Sequence, residues 1–190
     1  MRSRIQPLMI FCLVFTILFA SVLGAYAAPE EDLLRFPECR HCGMARERLA
    51  RSRMLVNYND GSQFGFCSIH CLAIDLVLNT DKSPRSIQVG DYLTKALIDA
   101  ETASWVLGGR EKGVMTQRAK WAFSSVKDAR TFVKQNGGEI VSFEQALEAA
   151  YHDMYSDSKV IRNKRKLKMM IDDFERRTPT GPNPPANLTR

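Results

Sequence analysis

The chain has 190 residues, 45% apolar and 25% charged, a balance that supports a packed core and excludes a disordered or fibrous chain. Its net charge of +6 is unevenly placed: residues 28–158 hold 16 basic and 18 acidic residues, and residues 159–190 hold 9 basic and 3 acidic. A nearly neutral body does not point to nucleic acid, whereas a basic tail suits a solvated helix, a membrane surface or an acidic partner.

Arg2 and Arg4 precede an apolar run over residues 8–23, which ends in Gly24 and the small-residue pattern Ala25-Tyr26-Ala27. This reads as a signal peptide over residues 1–27, cleaved after Ala27, so that the mature protein is periplasmic or secreted. An uncleaved anchor is the competing reading, since the run is close to the lower limit for a membrane-spanning helix. The small-residue end favours cleavage, and no Cys follows Gly24 to carry a lipid.

Residues 53–58 and 62–67 read as two strands joined by the hairpin tip Asn59-Asp60-Gly61. Apolar residues at helical spacing (Ile69, Leu72, Ile74, Leu76, Val77) predict a helix that Asn79-Thr80-Asp81 ends, and residues 86–93 read as a third strand. The second half repeats that order, with strands at 103–107 and 121–123, a helix over 126–135 capped by Ser125, and a closing strand at 139–142. Ser142 with Gln145 predicts the cap of a further helix running to about Met154. Beyond it, Val160, Leu167, Ile171 and Phe174 mark one seam of a basic helix, and residues 178–190, with four prolines, read as disordered. The expected fold class is α+β, two small β-β-α-β modules packed together with a helical basic tail. The expected divisions are a signal over 1–27, a Cys-rich module over 28–93, a second module over 94–155, and the tail over 156–190.

Four cysteines fall between residues 39 and 71, in the runs Cys39-Arg40-His41-Cys42-Gly43-Met44 and Cys67-Ser68-Ile69-His70-Cys71. Two close pairs at this separation can converge on one metal ion, one from a tight turn and one from a strand-to-helix junction. Three readings compete. In an oxidising compartment the four thiols form two disulfides in one of three connectivities. Alternatively they enclose a structural zinc ion. The third is a transfer site for a soft ion such as Cu(I), which prefers thiolate and thioether sulfur. Met44 adjoins the first pair, and His41 and His70 sit inside the two pairs as further candidate ligands. Cys39 and Cys42 also fit a thiol oxidoreductase motif, but no strand precedes Cys39 as that context requires. Paired carboxylates, a nucleophile elbow and a phosphate loop are lacking, so the expectation is a protein that is not an enzyme.

Cys42-Gly43-Met44 behind an N-terminal signal, the Asp60-Gly61 hairpin leading to Phe66-Cys67-Ser68, and Gly113-Val114-Met115-Thr116 followed by Ala122-Phe123 resemble the NosL family. So does Asp128-Ala129-Arg130-Thr131-Phe132 ahead of Gly137-Gly138. The resemblance covers roughly residues 37–150 and implies a periplasmic Cu(I) chaperone of two β-β-α-β modules that delivers copper to nitrous oxide reductase. It places the family's Cys-x-Met on Cys42 and Met44 and its second methionine on Met115. The implied partners are a periplasmic copper-accepting protein and a membrane transporter or assembly complex; contact of the tail with the membrane surface is expected from its own basic charge. Cys39, Cys67 and Cys71 are additions to that pattern, and with Cys42 they keep zinc in play as the alternative metal. The tail lies outside the resemblance.

Overall fold

The computed structural model describes residues 31–177. The signal peptide expected over 1–27 and the Pro-rich end at 178–190 lie outside the described residues. No helix among the described residues is long and apolar enough to cross a membrane.

A short helix α1 (Glu31–Arg35) is followed by a 3₁₀ turn (Glu47–Leu49) and a first antiparallel sheet. Strands β1 (Met54–Tyr58) and β2 (Gln63–Phe66) pair Met54 with Phe66 and Asn57 with Gln63. The hairpin tip closes where Tyr58 donates its N–H to the Ser62 carbonyl and the Asp60 carboxylate accepts from the Ser62 N–H. Helix α2 (Ile69–Leu78) then carries the chain to β3 (Pro84–Gly90), which lies on the other side of β1. A three-residue strand β4 (Leu97–Asp99) completes the order β2-β1-β3-β4.

The second sheet has the order β6-β5-β7, from β5 (Ser104–Leu107), β6 (Lys120–Phe123) and β7 (Glu139–Val141), with helix α3 (Val126–Asn136) between the last two. Both expected caps are formed. Ser125 accepts the Lys127 N–H at 3.1 Å, and Ser142 and Gln145 exchange side-chain to backbone hydrogen bonds at 2.9 and 3.2 Å. The β-β-α-β order thus occurs twice, as the sequence predicts, with β4 as an unforeseen edge strand of the first sheet.

The sheets share one core. Trp105, Phe143, Ala146 and Ala150 from the second half are buried with Met54, Val56, Phe66 and Leu72 from the first. A smaller cluster under α3 joins Trp121, Phe123 and Phe132, with the Tyr92 ring edge-on to Trp121 and Phe132 at 5.1 and 4.8 Å.

The largest departure from expectation is helix α4 (Phe143–Arg177), one continuous helix of 35 residues. It does not stop near Met154, because neither Gly nor Pro interrupts the stretch. Its first half packs on α2 and β5, and its second half projects past the body with Leu167, Met169, Met170 and Phe174 exposed.

Candidate metal centre

Charged residues anchor the scaffold beneath the cysteines. Asp32 on α1, Arg46 and Arg53 are all buried, and the Asp32 carboxylate accepts from Arg46 at 2.7 Å and from Arg53 at 3.0 and 3.1 Å. Arg46 also donates to the carbonyls of Phe36, Met54 and Phe66. Burial pushes the Asp32 carboxyl up and the two guanidinium groups down, but the ion pairs and carbonyls satisfy every charge. The segment that begins at Pro37 is thereby pinned to the β1–β2 hairpin.

That segment forms a tight knuckle. Cys39 donates its N–H to the Met44 carbonyl and accepts from the Gly43 N–H, each at 2.9 Å, and Glu38 bridges to Ala45. Gly43 sits at φ 71°, a left-handed turn that a side chain would strain. Arg40 donates its N–H to the Gly65 carbonyl at 3.0 Å, which ties the knuckle to β2. Across from it, Cys67 leaves the end of β2 and Cys71 sits in the first turn of α2, and across the extended Ser68 between them their sulfurs meet at 3.6 Å.

The four Sγ atoms of Cys39, Cys42, Cys67 and Cys71 all lie within 4.8 Å of one another. Cys42 is 3.5 Å from Cys67, and Cys67 is 3.6 Å from Cys71. A soft ion with metal–sulfur bonds near 2.3 Å spaces its sulfurs about 3.8–4.0 Å apart, so the group fits such an ion with little movement. All four are free thiols. Cys39, Cys67 and Cys71 are buried, and Cys42 alone is half-exposed.

The thiols share protons unequally. Hydrogen bonds from Cys42, Cys67 and Cys71, joined by the Cys42 backbone N–H, hold Cys39 far below the usual thiol range. The contact with Cys39 raises Cys42, but Cys67, Cys71 and the Met44 backbone N–H outweigh it and bring Cys42 down to about 7. Cys67 and Cys71 are pushed up, chiefly by Cys39. Both shifts on the knuckle side favour thiolate, and thiolate is the form that binds metal.

A cleft of about 680 Å³ opens over this group, lined at its floor by His41, Cys42, His70, Cys71 and Met115 and along one wall by α4. Met115 belongs to the loop between β5 and β6 and sits at φ 59°, a rare conformation for a side chain other than Gly. Its loop is fastened to α4 by the Gln117 N–H, which donates to Asp157 at 2.9 Å, and by Arg118 and Lys120, which pair with Asp153 at 2.9 and 2.7 Å. Met44 is half-buried and packs against the core cluster that contains the cysteines.

The histidines expected as candidate ligands are placed differently from the sulfurs, and the group within 4.8 Å contains neither. His41 binds Asp75 through Nε2 at 2.9 Å and stacks on Phe66 at 5.7 Å. His70 is buried, its imidazolium disfavoured by that burial, with Nδ1 3.9 Å from Asp157. Asp75 was missed by sequence reasoning, although it is the one acid in the apolar run Ile69–Leu78. It is fully buried and also accepts from the Tyr58 hydroxyl at 2.6 Å.

The NosL family model matches residues 32–151. Among solved structures, the chain is similar to the copper chaperone NosL from Shewanella denitrificans, with 24% identity, 56% of this chain and 87% of that chain covered, and a TM-score of 0.46. No curated protein matches the chain.

Proposed function

The chain belongs to the NosL family, and from that premise we propose that it is an exported metallochaperone that binds Cu(I) through Cys and Met sulfur and hands it on by ligand exchange. The receiver is a periplasmic copper-accepting protein such as nitrous oxide reductase, reached directly or through a membrane-bound assembly complex. One observation carries the reading: four thiols lie within 4.8 Å, and the only half-exposed one opens into a cleft shared with Met115. Cu(I) prefers thiolate and thioether over harder ligands, and a partner's sulfur entering that cleft meets Cys42 before any buried thiol. Cys39, Cys67 and Cys71 then hold the ion from below, Met115 completes the open side, and Met44 stands in reserve beside Cys42. The catalytic alternative has weak support, since a buried Cys39 has no access to a substrate disulfide.

The burial of three thiols favours a second reading, a structural zinc site without an open position. The test is to strip metal from the reduced protein and follow the fold by circular dichroism, then offer Cu(I) and measure its release to a competing chelator. A folded apo-protein that takes up one Cu(I) and yields it to the chelator supports the chaperone. An apo-protein that unfolds and is restored by zinc alone supports the structural site.

A further inference from the structure

The wall of the sulfur cleft contributed by α4 is basic. Ser158, Ile161, Arg162, Arg165, Lys166 and Met169 recur at helical spacing and line it as one face of the helix. No Asp or Glu lines the cleft. Arg162, Arg165 and Lys166 are exposed, and none of them makes a side-chain hydrogen bond or ion pair among the described residues. Elsewhere in the body Arg118 and Lys120 are held by Asp153, and Lys82 by Asp60, but among the described residues no acid stands close enough to hold these three. Three unneutralised cations form a positive rim on the cleft into which Cys42 opens.

We propose that this cleft receives an acidic segment of the copper-exchanging partner protein, guided and held by Arg162, Arg165 and Lys166. Only the identity of the partner rests on the metallochaperone reading. At about 680 Å³ the cleft admits a short stretch of chain and not a folded domain. Acidic side chains of that stretch pair with the three cations, and a sulfur or imidazole between them reaches Cys42 and Met115 at the floor. Cationic walls of this kind steer anionic partners and raise the rate of encounter, an effect that salt suppresses. The exposed thioether of Met169 and the half-buried Ile161 supply apolar contact for the stem of the entering segment.

The test uses the full mature chain, reduced and free of metal, with a fluorescent synthetic peptide of glutamates around a central methionine and its all-glutamine counterpart. Fluorescence polarisation should show tighter binding of the glutamate peptide, weakened by added salt. The triple change R162Q/R165Q/K166Q should reduce that binding about tenfold. The control K127Q/K159Q/K168Q, which removes the same charge outside the cleft, should leave it unchanged. Equal binding of the two peptides, or equal losses in the two triple variants, would overturn the proposal. So would a chain that ignores the peptide but binds phosphatidylglycerol vesicles through the same three residues. Because the peptide assay needs no metal, a separate failure to retain Cu(I) would remove the copper reading and leave the acidic-segment result standing.

Discussion

The Nε2 atom of His41 lies 2.9 Å from the Asp75 carboxylate, whose other oxygen accepts the Tyr58 hydroxyl at 2.6 Å. A histidine inside the Cys39–Cys42 knuckle therefore ties the knuckle to α2 through Asp75. Arg40 reinforces this from the same side, 3.4 Å from Asp75, with its guanidinium 3.5 Å over the Phe64 ring. His41→Phe, which keeps the stack on Phe66 and loses the bond, should cost about 1–2 kcal/mol in chemical denaturation. Its Cu(I) affinity in a chelator competition should stay within about threefold of wild type, a change of less than about 0.7 kcal/mol.

Met115 sits in the left-handed region, and its loop is clamped to α4 through Asp153 and Asp157. Leu fills nearly the same volume without a thioether, so Met115→Leu should leave stability within about 1.5 kcal/mol. Cu(I) affinity should fall at least about tenfold, because an alkyl group cannot replace a soft donor. Thermal unfolding and the same competition assay separate the two effects.

Gly65 faces the buried Arg46 guanidinium, and a Cβ there would stand 2.6 Å from its central carbon. The guanidinium cannot retreat without breaking its bonds to Asp32 and to three carbonyls. Gly65→Ala should therefore destabilise the protein by about 2–3 kcal/mol, measured by urea denaturation.

Asp91 joins the two sheets. One oxygen accepts the Ser124 N–H at 2.7 Å, the other accepts the N–H and hydroxyl of Thr94 at 2.8 Å, and the neighbouring Tyr92 N–H donates to the Ala122 carbonyl. Burial raises this carboxyl, but the donors at Thr94 and Ser124 overcome it and hold the group below the usual carboxylate range. A carboxyl lowered in the folded state stabilises fully above its unfolded value of about 3.9 and loses that contribution as pH falls through the folded value. Asp91→Asn should cost about 2 kcal/mol at neutral pH. The gap between wild type and variant in urea midpoints should narrow as the pH drops below about 4.

The alternation in the strands, the Ser125 and Ser142 caps and the Asp60-Gly61 turn are local signals, and each element they announce is present. The convergence of the four cysteines was legible from spacing because both pairs border elements that those signals placed. Strand β4 was not, since three residues at an edge carry too short a pattern to stand apart from a loop. That α4 is one helix was hidden because Ser156-Asp157-Ser158, weak helix formers, separate the capped run from the basic seam at Val160, Leu167, Ile171 and Phe174, while no Gly or Pro breaks the chain there. The burial of Asp32, Arg46, Arg53 and Asp75 was equally invisible. Charged residues ordinarily lie outside, and only their partners, distant in sequence, make the interior tolerable.

The most direct test of the account is X-ray absorption at the copper edge on mature protein loaded with one equivalent of Cu(I) under reducing, oxygen-free conditions, for wild type and for Cys42→Ser. The account predicts an all-sulfur shell around a single copper in the wild type, and fewer sulfurs with weaker retention in the variant. A shell of nitrogen and oxygen donors, or one identical in the two proteins, would contradict it.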